Sequence, residues 1–419
     1  MKSGRLLFLC VVLALVTGCG GGGGGGSSSS SAPTGSSTPA LTLPNGPTLP
    51  PVVGNNVLTV TVDGSECSPA TLAQWPNKPC VSVTICDPAN TYCQTVNDIL
   101  LDTGDYGLRI FQQTLPAGLL TALSQNQVQV GSLPVYECIE YGDGSAVWGP
   151  VQRANVVLTA SEQALNVPIH LIGSSAGNPS QVCAGNPTFS SPAAALYNGS
   201  LGLGFFVQDC GPVCASSNNN RVYYTCSGTS CTGAAVPLAS QVQNPVAHLP
   251  VDKNGICLMF PSVPSGGTPL VSGYLVLGIG TQSNNGPSGV VAYGADQNGN
   301  FTTVFNNITY PAFLDSGSNG FFFPDSQVQT CDGGWFCPPS TLTLSATTTA
   351  SAGSPSAVVQ FQIANFNTLI NSSNNVFSNI GASQPGLFDW GLPFFLGRNV
   401  YIGLEGTASG LGAGPYWAY

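Results

Sequence analysis

Apolar and polar residues alternate along much of this chain with a period of two. Val57-Leu-Thr-Val-Thr-Val62, Val81-Ser-Val-Thr-Ile85, Val151 to Leu158, Val358 to Ile363 and Val400 to Leu404 alternate or run apolar, and are rich in β-branched residues. That period sends successive side chains to opposite faces of a strand. Clusters of Gly, Pro, Asn and Ser separate the runs and supply turns. The pattern predicts an all-β protein of short strands. Only Pro116 to Leu123 and Pro192 to Tyr197 read as helices. The chain holds 53 Gly and 33 Pro in 419 residues, which disfavours long helices.

Comparing the chain with itself adds a repeat. Ile99-Leu-Leu-Asp102-Thr103-Gly104-Asp105-Tyr-Gly107 aligns with Phe313-Leu-Asp315-Ser316-Gly317-Ser318-Asn-Gly320. Each copy is an apolar strand, Asp-(Thr/Ser)-Gly, a Gly three residues further on, and a second apolar strand. One such segment is an ordinary turn, in which Asp accepts backbone hydrogen bonds. Two, one in each half, predict two similar lobes that each supply a carboxylate. A carboxylate pair in a dry site cannot ionise twice, so it holds one proton between an acid and a base. It can activate a water and protonate a carbonyl oxygen without metal, His or cofactor.

Composition fits that chemistry and excludes others. Charged residues make up 6% of the chain, with 8 Lys or Arg against 18 Asp or Glu and a net charge of −10. So few cations leave no footprint for nucleic acid. With 2 His there is little scope for zinc or haem chemistry, and no cofactor or metal is expected.

The N-terminus reads as an address. Lys2 and Arg5 precede an apolar run, Leu6 to Val16, which is too short to span a bilayer and fits a secretory signal. It ends in Val16-Thr17-Gly18-Cys19, which resembles the bacterial lipobox. On that resemblance residues 1–18 are a signal peptide and Cys19 carries the lipid, palmitate included. Gly, not Asp, at position 20 favours the outer membrane over inner-membrane retention; the periplasmic or surface face stays open. Residues 19–55 are rich in Gly, Ser and Pro and read as a disordered tether.

Cysteine usage agrees with an oxidising compartment. There are 15 Cys, and 13 remain once Cys10 and Cys19 are set aside. Proximity in sequence suggests Cys67–Cys80, Cys86–Cys93, Cys210–Cys214, Cys226–Cys231 and Cys331–Cys337, with Cys138–Cys183 as the longer link. Cys257 is left as a free thiol in an apolar run. Zinc at Cys210, Cys214, Cys226 and Cys231 is the competing reading of those spacings.

The repeat and its surroundings resemble a pepsin-like aspartic protease over residues 56–419. Asp102-Thr-Gly and Asp315-Ser-Gly match the family's two catalytic loops. Glu140-Tyr141-Gly142-Asp143-Gly144-Ser145, continuing to Gly149, resembles the flap hairpin. Asn198-Gly-Ser-Leu-Gly202-Leu-Gly204 resembles the segment that crosses behind the first catalytic loop, and Leu392 to Glu405 resembles the equivalent run near the C-terminus. More narrowly, Asp315 to Gly320, Phe388 to Phe395 and Gly414 to Tyr419 are similar to motifs of a family of uncharacterised bacterial lipoproteins.

The resemblance implies a bilobal, all-β fold of paired barrels with few short helices. An N-terminal lobe spans 56–243 and a C-terminal lobe 244–419. It implies catalytic Asp102 and Asp315, supported by Thr103, Gly104, Ser316, Gly317 and Ser318. The flap would be Tyr141, Gly142, Asp143 and Gly144. Pepsins usually place Ser where this chain has Asp105. Pointing inward, Asp105 raises the pKa values of the dyad; pointing outward, it is a solvated turn residue, and outward is the expectation.

The expected function is an envelope-anchored aspartic endopeptidase acting on extended peptides, as a monomer tied to the membrane by its lipid alone. The alternative is a catalytically silent, tethered protein that binds a peptide, protein or glycan, and a purely structural lipoprotein is a third reading. Weaker signals remain. Gly173-Ser-Ser175-Ala-Gly177, with His170 or His248 as base, fits a Ser nucleophile elbow but lacks the helix that should follow, so it reads as a polar turn. Trp148, Trp390 and Trp417 read as packing residues rather than a sugar cleft.

Overall fold

The computed structural model describes residues 47, 49–68, 75–174, 176, 183 and 187–419. The leader, Cys19, most of the tether, Ser175 and Gly177 lie outside them.

Strands take 43% and helices 11%, so the protein is all-β; it has two lobes, formed by a six-strand barrel and a half-barrel. The run Val57–Val62 is a strand at the bounds its alternation predicts. The other runs extend further or shift by a residue, into Pro79–Cys86, Ala146–Val157, Ser356–Ile363 and Asn399–Gly403. A helix forms at Ala117–Ser124. The second, Pro192–Ala195, stops short of Tyr197 because Leu196 turns left-handed, at φ 63°, and caps it.

Hydrogen bonding joins the described strands into a seventeen-stranded sheet, a seven-stranded sheet and a two-stranded ribbon. The large sheet runs past residue 243. Val57–Val62 pairs antiparallel with Val271–Leu277, which pairs with Gly255–Met259, and that strand pairs with Asn399–Gly403. Backbone pairing therefore ties the start of the first half to the end of the second. Asn77 adds a polar tie. Its amide donates to the carbonyls of Asn319 and Phe377, both at 2.8 Å, and its oxygen accepts from the Phe377 N–H at 2.7 Å.

The seven-stranded sheet closes over an aromatic core. Phe305, Phe323, Phe361, Phe388 and Trp390 pack with ring centroids 4.4–6.2 Å apart, mostly edge to face. Trp148 and Trp417 are buried as well, so all three of these tryptophans are packing residues.

Six disulfides form: Cys67–Cys80, Cys86–Cys93, Cys138–Cys183, Cys210–Cys214, Cys226–Cys231 and Cys331–Cys337. They are the pairs that proximity suggested. Bonded sulfurs offer no thiolate, which removes the zinc reading at Cys210 to Cys231. Cys257 is free and buried, and burial pushes its thiol pKa up.

Candidate active site

Each Asp loop is built by three strands. In the first, Cys93–Asp102 leads in and Tyr106–Phe111 leads out. Gly199–Leu203 lies between them, parallel to the incoming strand and antiparallel to the outgoing one. The second loop repeats this. Ile308–Leu314 leads in, Phe321–Phe323 leads out, and Phe388–Trp390 lies between with the same two polarities. The segment behind the second loop is thus Phe388–Trp390, just before the run starting at Leu392 that sequence comparison suggested. Leu392–Phe395 is a short helix, and Asn399–Gly403 belongs to the large sheet. Gly391 follows the inserted strand because a Cβ there would lie 2.0 Å from the Gly320 carbonyl oxygen.

The two loops meet. A Cβ on Gly104 would stand 2.7 Å from the Asp315 carboxyl carbon, and one on Gly317 would stand 2.7 Å from that of Asp102. Only glycine permits such an approach. The second residues of the motifs lock it. Thr103 Oγ1 donates to the Leu314 carbonyl at 3.0 Å and accepts from the Ser316 N–H at 2.9 Å. Ser316 Oγ donates to the Leu101 carbonyl at 2.7 Å and accepts from the Thr103 N–H at 3.1 Å. Both hydroxyls are buried, donate once and accept once, so none of these groups is left unpaired.

Asp102 Oδ1 accepts from the N–H groups of Gly104 at 2.8 Å and Asp105 at 3.0 Å. Asp315 Oδ1 accepts from the Gly317 N–H at 2.7 Å, and its Oδ2 from the Ser318 hydroxyl at 2.9 Å. Both carboxyls are buried. Burial, then the charge of Asp315, then that of Asp105 hold Asp102 well above the usual carboxylate range. Burial raises Asp315 too, but bonds from Ser318, Asp102 and Gly317 oppose the rise. Asp102 is thus raised further than Asp315, the separation expected of two acids that share one proton.

Asp105 is fully buried, contrary to the outward expectation. The reason is Arg109, four residues on and also buried, whose Nη1 lies 2.6 Å from Asp105 Oδ2. Arg109 also meets Glu137 and Asp209, each at 3.2 Å. Tyr223 donates its hydroxyl to Asp209 at 2.6 Å. Burial pushes Asp105 up to about 6 against the lowering pull of Arg109. His170 Nδ1 lies 3.0 Å from Glu137 in this cluster, and burial holds its pKa well below the usual value. His170 is thus a buried core residue beside Glu137, and Ser175 of the elbow lies outside the described residues.

The flap candidate is a hairpin, with Leu133–Glu140 paired to Ala146–Val157. Gly142, Asp143 and Gly144 form its exposed tip, and Asp143 accepts from the Ser145 N–H at 2.8 Å and hydroxyl at 2.6 Å. Tyr141 is buried beneath that tip, in a cluster with Trp75, Leu100, Phe111 and Tyr197. Tyr197 packs against Trp75 and Phe111 in this cluster.

Sequence reasoning missed Asp389, whose Oδ2 lies 2.6 Å from Ser318 Oγ. The signal was a lone acid in the apolar run Phe388-Asp-Trp390. It also missed Arg109, a lone cation in the apolar strand Tyr106–Phe111.

Residues 52–419 match the model of a family described as a protein of unknown function, DUF3443. No curated protein matches the chain. With the match covering most of its length, the chain belongs to the DUF3443 family.

Proposed function

We propose that this protein is a pepsin-like aspartic endopeptidase, anchored in the bacterial envelope through Cys19. The observation that carries the reading is the meeting of the two Asp loops, with each Gly against the opposite carboxyl and the two hydroxyls locked across. In the proposed reaction ionised Asp315 takes a proton from a water held between the carboxyls. That water attacks the scissile carbonyl carbon, while Asp102 gives its proton to the carbonyl oxygen. Both acids are buried, so an extended peptide reaches them only when the flap lifts Tyr141 and closes again over the substrate.

The second reading is a catalytically silent binding protein. Asp105 favours it, because a buried ion pair stands where pepsins hold a neutral hydroxyl. Digestion of a peptide library by the purified protein at acid pH, with and without a statine-type inhibitor, separates the two. The protease reading expects inhibitor-sensitive cleavage of extended peptides; a library left intact supports the binder.

A further inference from the structure

The positions behind the dyad are related between the lobes by an exchange. Three residues after Asp102 stands Asp105, and three after Asp315 stands Ser318. On the inserted strands, Ser200 pairs with Leu100 and Asp389 with Phe313, which are equivalent places. The first lobe therefore has Asp on the loop and Ser on the strand, and the second has the reverse. Their surroundings differ. Asp105 faces Arg109. Among the described residues no ion pair reaches Asp389, which is buried, and its Oδ1 has no hydrogen-bond partner.

Ser318 Oγ lies between two carboxyls, 2.9 Å from Asp315 Oδ2 and 2.6 Å from Asp389 Oδ2. A hydroxyl has one hydrogen. It can donate to only one of these oxygens, so the other carboxyl has to donate to it and must carry a proton. Asp315 already accepts from the Gly317 N–H, which suits a negative charge. A charged Asp389 would be a buried anion with a single hydrogen bond, which is costly.

We propose that Asp389 is a neutral carboxylic acid and a third acid of this site, donating to Ser318 so that the Ser318 hydrogen stays on Asp315. Asp389 is a positioning residue: it acts through Ser318 and biases the dyad toward ionised Asp315 and protonated Asp102. Burial and the charge of Asp315 both hold the Asp389 proton in place. When Asp389 ionises at high pH, it draws the Ser318 hydrogen away from Asp315. The charged and titratable groups facing it are Asp315 across Ser318 and Asp102 beyond. The effect on cleavage rests on the protease reading above, whereas the protonation of Asp389 does not.

The test uses infrared difference spectra of the whole protein at neutral pH, together with pH profiles of peptide cleavage. Wild type minus Asp389→Asn should show the loss of one protonated-carboxyl C=O band. Loss of a carboxylate band instead overturns the proposal. Ser318→Ala keeps Asp389 and removes its acceptor, so the same C=O band should shift to higher frequency; an unmoved band overturns the proposal. In Asp389→Asn the side-chain amide still donates to Ser318 but cannot ionise. Its alkaline limb of cleavage should move to higher pH, and an unchanged limb removes the link to the dyad. If the wild type cleaves nothing, the protease reading fails, while the infrared spectra still decide where the proton sits.

Discussion

Thr103 and Ser316 hold the dyad loops together through four hydrogen bonds that cross between the halves of the chain. Thr103→Val keeps the shape but leaves the Leu314 carbonyl and the Ser316 N–H unpaired. Unpaired buried groups cost about 1–3 kcal/mol each, and chemical denaturation should register a loss of that order. Gly104→Ala tests the approach itself. Its Cβ would overlap the Asp315 carboxyl, so cleavage should vanish while each lobe keeps its circular dichroism. Asp105→Ser leaves Arg109 paired with Glu137 and Asp209, so the variant should fold with reduced stability and keep its activity. Above about pH 6 the Asp105 charge is one of the influences raising Asp102, so its removal lowers the Asp102 pKa and should draw the alkaline side of the profile, and the optimum with it, to lower pH. An optimum that stays put or rises contradicts this placement of Asp105.

Strands bring together what is far apart in the chain. Arg109 on Tyr106–Phe111 reaches Asp105 on its own loop, Glu137 on the flap strand and Asp209 at 100 residues' separation. Arg109→Met would leave three carboxyls in the core without their cation. Loss of one partner from a buried ion cluster costs about 3–5 kcal/mol, so the variant should unfold at much lower denaturant or fail to fold. Arg109→Lys should recover only part, since one ammonium cannot span three carboxyls as a guanidinium does. Much of the strand set was legible in sequence, because a period of two marks a half-buried strand. Phe388–Trp390 was not, since a three-residue strand buried on both faces has no period. Its parallel pairing to Ile308–Leu314 is a property of topology. The Asp loops were legible because the chain writes them twice. Arg109 carried a signal in its apolar strand, but its partners did not, since nothing local links residues 109, 137 and 209.

For the whole molecule, buried acids set the pH dependence of stability. Asp63, Asp98, Asp102, Asp105, Asp209, Asp315 and Asp389 all have raised pKa values, with burial as the leading cause. A raised acid keeps its proton in the folded state where the unfolded chain has lost it. Stability should fall as pH rises from the unfolded carboxylate value, about 3.9, through the folded ones, which reach about 6 for Asp105. His170 works the other way below its unfolded value of about 6.5, but it is outnumbered. The melting temperature should therefore be higher near pH 4 than near pH 7, and a steady rise across that range would contradict the burial of these acids.

The central claim is that Asp102 and Asp315 act as one proton-sharing catalyst, and the most direct test compares wild type with both single Asn variants and the double. Peptide-library cleavage should be measured by mass spectrometry between about pH 3 and pH 7, the range in which such a dyad shares a proton. Each single variant should lose about 10⁴-fold or more in rate, and the double should be little worse, because residues that act as a unit are not additive. Absence of cleavage by wild type throughout that range, with an envelope ligand bound equally well by Asp102→Asn, would contradict the account and leave the binding protein in its place.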